Sequence, residues 1–285
     1  MMMSEFSVVI PARNEAKTIG AIVSDLLDTY PLAEVIVVND GSEDDTADIA
    51  SNAGAIVISH PYSLGNGAAI KAGVKAASTK YVVLMDGDGQ HNTRDVHSLV
   101  TQITLGYDLV VGARTSRKQH SSLWRWIANS LYNNFASLVT NTKVIDLTSG
   151  FRAVDREKFL GVIHLLPNGF SYPTTSTLAF LRSGHQVLFA PVNVKAGANG
   201  SHINPLRDGF RFLLIIFKIV MLYSPFKVLA PLAFLQVGVG LVMYLPGLFS
   251  GSPVFTNGMA FLFSGGVVTL AVSILSEQLT VLLYK

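Results

Sequence analysis

Cysteine is absent from the 285-residue chain, which excludes a disulfide framework and any thiolate metal site. A metal held by such a chain must sit on carboxylate, imidazole or backbone oxygen, which points to Mg2+ or Mn2+ rather than structural zinc. Charge is scarce as well. Only 14% of residues are charged, against about 25% in an average soluble domain. The deficit is local. Up to about Arg211 polar and apolar segments alternate as in a soluble protein, whereas beyond Lys227 the charged residues are Glu277 and Lys285. The formal net charge of +2 is too small to indicate nucleic-acid binding. The opening Met1-Met2-Met3-Ser4-Glu5-Phe6 lacks a basic segment followed by an apolar one, so no secretory leader is expected. Internal repeats and low-complexity tracts are not evident either.

What replaces charge at the end of the chain is hydrocarbon. The uncharged run from Val228 to Phe249 is long enough to cross a bilayer core of about 30 Å. A second runs from Thr256 to Ser276, after a short connection through Ser250-Gly251-Ser252-Pro253. Lys218, Lys227 and Lys285 flank the other ends, which places the N-terminal domain and the C-terminus in the cytoplasm by the positive-inside rule. A pair of buried core helices is the weaker reading, since both runs are consecutive, full-length and uncharged. Glu277 is either an intramembrane functional carboxylate or, the favoured reading, a residue near the cytoplasmic interface. Ahead of the first span, Phe210, Leu213, Leu214, Phe217, Val220 and Met221 follow helical spacing, with Arg207, Arg211 and Lys218 on an opposing face. That pattern predicts an interfacial helix, favoured over one packed on the soluble domain. The expected division is residues 1–203 as an α/β domain, 204–227 as the interfacial helix and 228–285 as a hairpin, spanning at about 228–249 and 256–280.

The N-terminal part reads as alternating strands and helices. Apolar runs at Ser7–Ile10, Glu34–Val38, Ile56–Ile58, Tyr81–Met85 and Asp108–Gly112 predict strands; Lys17–Tyr30, Asp44–Ala53 and Gly67–Ala77 predict helices. Near-continuous apolar strands separated by helices imply a mainly parallel, Rossmann-like sheet, with the ligand beyond the carboxyl ends of the strands. The polar clusters obey that rule: Arg13-Asn14-Glu15, Asp40-Gly41-Ser42, Asp86-Gly87-Asp88 and Ala113-Arg114 all follow strand ends.

Asp86 and Asp88 flank a glycine that lets the backbone turn and approach a ligand closely. Two carboxylates this near repel unless a cation lies between them. A hard divalent ion bridging to a diphosphate meets that need, with Gln90 as a further oxygen donor. Read alone, a solvated β-turn is an equal alternative. Asp40 reads as an acceptor for a ribose or base, or as a helix cap. Arg152, in Thr148-Ser149-Gly150-Phe151-Arg152, reads as a phosphate ligand or as the partner of Asp146 or Asp155. Gly65-Asn66-Gly67 lacks the third glycine of a dinucleotide fingerprint and reads better as a turn opening a helix. His91, His97 and His120 show no zinc spacing and read as surface residues.

Taken in order, Pro11-Ala12-Arg13-Asn14-Glu15, Val38-Asn39-Asp40-Gly41-Ser42, Asp86-Gly87-Asp88-Gly89-Gln90-His91 and Asp146-Leu147-Thr148-Ser149-Gly150-Phe151-Arg152 resemble glycosyltransferase family 2, with a GT-A fold. The narrower resemblance is to the polyprenyl-phosphate sugar transferases, such as dolichyl-phosphate mannose synthase and the bactoprenol glucosyltransferases. It covers roughly Phe6 to Arg211 and extends to the terminal hairpin of the bactoprenol members. The resemblance implies a metal-dependent, inverting hexosyltransferase of the bacterial inner membrane. A UDP- or GDP-sugar would be its donor, a polyprenyl phosphate its acceptor, and a homo-oligomer its assembly. Pro11, Arg13, Glu15, Val38 and Asp40 would hold the nucleoside. Asp86, Asp88 and Gln90 would hold Mg2+ or Mn2+, with Gly87 close to the donor and Asp86, Asp88 and Arg152 serving catalysis. Arg114 and Arg152 would contact phosphates; Lys195 and His202 stand where the family has a basic loop. The stretch Phe170-Ser171-Tyr172-Pro173-Thr174-Thr175 departs from the family in lacking an acid. The competing readings are a processive or protein-directed family 2 transferase, for which Trp124-Arg125-Trp126 lacks the expected preceding Gln, and a non-catalytic membrane scaffold.

Overall fold

The computed structural model describes residues 5–114, 123–169, 171–192, 194, 221, 223–251 and 254–283. The chain divides into two compact units, Met1–Ile203 and Asn204–Lys285.

In the first unit the five expected strands form: β1 (Phe6–Ala12), β2 (Glu34–Asn39), β3 (Ile56–Ser59), β4 (Tyr81–Leu84) and β5 (Leu109–Ala113). Pairing continues past Pro11, where the Ala12 carbonyl accepts the Asp40 amide at 2.9 Å. Two further strands, β6 (Arg152–Asp155) and β7 (Val187–Pro191), complete a seven-stranded sheet in the order β3-β2-β1-β4-β6-β5-β7. All pairs are parallel except those of β6, which lies antiparallel between β4 and β5 in the register Leu84↔Arg152 and Val111↔Arg152.

The helices between them are α1 (Ile19–Thr29), α2 (Thr46–Asn52), α3 (Asn66–Ala76), α4 (Asp95–Thr104), α5 (Leu123–Thr140), α6 (Arg156–Val162) and α7 (Tyr172–Arg182). Strand alternation sends side chains to opposite faces of the sheet. Val8 and Ile10 join a cluster with Ile19, Val23 and Leu26 of α1 and Val96, Leu99 and Ile103 of α4. Val9 and Val38 face the other way, against α3, where a Cβ on Gly73 would sit 2.3 Å from Val9. Burying these aliphatic side chains contributes about 1.5–3 kcal/mol each, so the sheet is a rigid base for the loops at its carboxyl edge.

In the second unit, α8 (Phe226–Phe249) and α9 (Asn257–Leu283) are each long and apolar enough to cross a membrane, with mean hydropathy 2.0. Their contacts descend on α9 as they ascend on α8, so the pair is antiparallel. Gly266 lies against Ala233 and Val237, the Thr269 hydroxyl donates to Gln236 at 3.1 Å, and Gly240 faces Phe263. Glu277 accepts from the Phe226 amide (3.2 Å) and the Ser224 hydroxyl (3.3 Å). A carboxylate there satisfies otherwise orphaned donors at a helix start, so this acid has a capping role. Residues 204–220, with most of the interfacial-helix pattern, lie outside the described residues, as do Lys195 and His202.

Candidate active site

A cavity of about 420 Å³ opens at the carboxyl ends of β1, β2 and β4. It is lined by Pro11 and Ala12 at the end of β1, by Arg13 and Glu15 of the loop that follows, and by Asp86, Gly87 and Asp88 of the turn after β4. Asp40, Ser63, Gly65 and Asn66 close one side; Thr148, Gly150, Tyr172 and Pro173 close the other.

The loop after β1 is fixed by the loop after β2. Asn14 takes φ 56°, a conformation that asparagine tolerates. Its amide donates to Ser42 at 3.0 Å and its side chain accepts from the Glu43 amide at 2.9 Å. The Glu15 amide donates to Thr46 at 2.8 Å. Glu15 is thereby held at the cavity, where burial first, and then the charges of Asp88, Asp44 and Asp86, raise its carboxyl above the ordinary value. The Thr18 hydroxyl donates to the Gly87 carbonyl at 2.8 Å and ties the two loops together.

Asp40 is buried and fully engaged. It accepts from His60 Nδ1, the Ser63 hydroxyl and the Leu64 amide at 2.8 Å each, and from the Gly65 amide at 2.9 Å. Burial alone would raise its pKa, but the four hydrogen bonds outweigh it and hold the carboxyl at about 2. Asp40 therefore shapes the 60–65 loop and does not cap the following helix. Gly41 makes the close approach possible: at φ 65°, a Cβ there would lie 2.6 Å from the Ser63 nitrogen.

The turn after β4 has the opposite character. The Asp88 carboxylate accepts from the Gln90 amide nitrogen at 3.0 Å and from Gln90 Nε2 at 2.7 Å. Gln90 thus presents a donor to Asp88 and is not among the residues that line the cavity. Burial, and then the neighbouring Asp86, push the Asp88 carboxyl up. Asp86 stands 3.7 Å from His91 Nε2. The His91 ring stacks on Phe151 at 4.8 Å, so His91 is a neighbour of the site rather than a surface residue. Opposite Asp86, a Cβ on Gly150 would sit 2.6 Å from its carboxylate oxygen. A side chain at 150 would require the Asp86 carboxylate to shift.

Both arginines expected at phosphates are committed elsewhere. Arg114 grips Asp146 in two bonds, of 2.7 and 2.9 Å, and reaches Thr148 at 2.7 Å. This bidentate pairing, against the burial of both partners, raises the guanidinium and lowers Asp146. Arg152 is 0% exposed. It donates to the carbonyls of Ser149 and Pro173 and to the hydroxyls of Ser176 and Thr177. Neither Asp146 nor Asp155 pairs with it; Asp146 is taken by Arg114, and Asp155 caps α6 by accepting from the Lys158 amide. Val38 is likewise buried and turned toward α3 rather than the cavity. The α7 residues on the wall, Tyr172 and Pro173, come from the stretch without an acid. Burial raises the Tyr172 phenol, which donates to the Gly150 carbonyl at 3.3 Å and stays protonated.

With this geometry in place, relatives can be compared. A family model described as Glycosyl transferase family 2 matches residues 7–161. The chain belongs to that family. A second model, the GtrB C-terminal hairpin, matches residues 224–282 of this glycosyltransferase. Glycosyltransferase AglJ of Haloferax volcanii is 29% identical over 245 residues, covering 84% of this chain and 80% of that protein. Polyprenol monophosphomannose synthase of Mycolicibacterium smegmatis is 27% identical, covering 65% of this chain and 75% of that one. Among solved structures, glucosyl-3-phosphoglycerate synthase from Mycobacterium tuberculosis, in complex with Mn2+ and uridine-diphosphate-glucose, superposes with a TM-score of 0.59 at 26% identity, covering 74% and 78% of the two chains. The GT-A-like fold of the transferase agrees with these neighbours.

The acidic turn fits a divalent cation. Asp86 and Asp88 offer hard oxygens on a cavity wall. Arg114 and Arg152 feel the charge of Asp86, yet no hydrogen bond joins either to it; Arg114 is bound to Asp146 and Thr148, and the terminal nitrogens of Arg152 to the Ser149–Thr177 cluster. Among the described residues no group of three or more His, Cys, Asp or Glu could cage an ion. An open pair of this kind suits Mg2+ or Mn2+, which take one or two carboxylates and complete their shell with phosphate and water oxygens.

Proposed function

We propose that this transferase moves a hexosyl unit from a UDP- or GDP-sugar to a polyprenyl phosphate at the cytoplasmic face of a membrane, with inversion. One observation carries the reading: the same chain joins a cavity lined by the two neighbouring carboxylates Asp86 and Asp88 to a hairpin of two apolar helices. The names of its relatives, a polyprenol monophosphomannose synthase and a synthase crystallised with Mn2+ and UDP-glucose, support a lipid acceptor and a nucleotide-sugar donor.

Within the cavity, Asp86 and Asp88 hold the ion, which when bound neutralises the diphosphate leaving group. Pro11, Arg13 and Glu15 form the wall against the nucleoside, with Asp40 acting through the loop it anchors. Gly87 and Gly150 keep side chains out of the space beside Asp86. The acceptor phosphate is already an anion and needs no strong base, so catalysis rests on positioning and charge neutralisation. That suits a wall on which Tyr172 remains a neutral phenol.

The test uses membranes containing the full chain, undecaprenyl phosphate, Mn2+ or Mg2+ and radiolabelled nucleotide-sugars. A labelled lipid is expected with one donor, and Asp88→Ala should lower its formation by at least about 100-fold, the scale of losing a main electrostatic contact. Intact donor binding with no lipid product from any common donor would remove the lipid acceptor from the account.

A further inference from the structure

In the run Asp86-Gly87-Asp88-Gly89-Gln90-His91 the chain places an imidazole three residues beyond Asp88. By sequence it reads as a surface residue, but the fold turns it inward and its side chain is 9% exposed. Two contacts hold it there. The His91 backbone forms an antiparallel bridge with Val194, just past the end of β7. The ring lies on Phe151, with centroids 4.8 Å apart and planes 26° from parallel. Phe151 is itself fully buried. It packs beside Gly112 of β5, where a Cβ would come within 3.0 Å of its ring. The platform under the imidazole is therefore set by the sheet.

That platform presents a nitrogen to Asp86. His91 Nε2 stands 3.7 Å from Asp86 Oδ2, the oxygen that Gly150 also approaches. The gap exceeds a hydrogen bond, and contacts of this kind in a ligand-free site often tighten once the ligand is bound. The other nitrogen, Nδ1, is buried and has no hydrogen-bond partner among the described residues. Leaving a buried polar atom unpaired costs about 1–3 kcal/mol. Packing alone does not account for that cost, because a phenyl ring would stack on Phe151 without it. An imidazole here calls for a use of its other nitrogen. Carboxylates that ligate a metal are themselves hydrogen-bonded by neighbouring groups that fix their orientation, and loss of such a partner typically costs 10–100-fold in metal affinity or activity.

We infer that His91 is a positioning residue of the metal site: its Nε2–H orients the Asp86 carboxylate for the ion, while Phe151 and the Val194 bridge hold the ring. This rests on the reading of Asp86 as a ligand of the ion given above, and not on the identity of sugar or acceptor. It also ties the acidic turn to the chain that leaves β7.

Two variants separate the nitrogen from the ring. His91→Phe keeps the stack on Phe151 and loses the N–H; His91→Gln keeps an N–H at similar reach and loses the stack. Binding of UDP and GDP to the purified full chain is measured calorimetrically over a series of Mn2+ concentrations, beside thermal melts without metal. His91→Phe should melt as the wild type does, yet need about 10–100-fold more Mn2+ for half-maximal nucleotide binding. His91→Gln should melt at a lower temperature and recover most of the lost Mn2+ affinity. If His91→Phe also melts lower, His91→Gln decides, because the retained N–H is what restores affinity. A His91→Phe protein with the wild-type Mn2+ requirement would overturn the inference and leave the imidazole a packing group. So would a His91→Gln protein as impaired as His91→Phe. A wild type whose nucleotide binding ignores Mn2+ would instead sink the metal reading itself, and this inference with it.

Discussion

Two buried charges flank the cavity, on either side of β1 and β4 in the sheet order, and they are handled in the same way. Asp40, after β2, meets four donors; Arg152, opening β6, meets four neutral acceptors. Each organises a wall: Asp40 the 60–65 loop, Arg152 the Ser149 carbonyl and the first turns of α7. Asp86 and Asp88 contrast with both. They face the cavity with oxygen valence left over, and burial together with like charge raises the Asp88 carboxyl. In this fold the charges held by several protein partners build the site, although Arg152 keeps its buried Nε without a hydrogen bond among the described residues, and those facing the cavity are available to a ligand. An engaged charge is a poor candidate for binding, because substrate must first displace bonds worth about 1.5–3 kcal/mol each.

Replacing a charge held by several protein partners should therefore cost stability first. Arg152→Met takes the guanidinium donors from the Ser149 carbonyl and from the Pro173–Ser176–Thr177 cluster in a dry interior, and about 3 kcal/mol of destabilisation is expected. Thermal melts of the purified protein would show it. An Arg152→Met protein with wild-type melting but no donor binding would instead make this arginine a ligand contact and break the contrast.

Asp40→Asn should cost somewhat less. The folded pKa of about 2 lies below the ordinary 3.8, so ionised Asp40 contributes stability that is complete above pH 4 and is lost as pH falls through 2. The shift corresponds to about 2 kcal/mol. Denaturation at several pH values should show the wild type and Asp40→Asn converging in acid, with their full difference near neutrality. A difference independent of pH would mean the carboxylate's charge is not what holds the loop.

Much of this was legible in the sequence. The strands β1 to β5 are short aliphatic runs that only a buried sheet explains, and the polar clusters fall where such a sheet places ligands. The hairpin is plain, since two uncharged runs near the chain end are local patterns, whereas the Asp-Gly-Asp turn is ambiguous alone and gains meaning from its place at a strand end among the other polar clusters. What failed to show was set by distant partners. Four residues headed by an arginine do not announce a buried strand, yet β6 pairs antiparallel on both sides. The partners of Asp40 lie 20 to 25 residues downstream. Arg114 and Asp146 meet across 32 residues. His91 read as surface because nothing near it in sequence revealed Phe151 beneath its ring. The fully buried Thr174-Thr175-Ser176-Thr177 of α7 is too polar for periodicity to detect; its hydroxyls are inside because two of them satisfy Arg152.

The most direct test of the central claim is calorimetric titration of UDP and GDP into the purified transferase, with and without Mn2+, beside the double variant Asp86→Asn/Asp88→Asn. The account predicts that one nucleotide binds only when the metal is present and that the double variant loses this binding while melting at or above the wild-type temperature, since it removes a like-charge pair. Equal binding without metal, or metal-dependent binding that survives in the double variant, would contradict it.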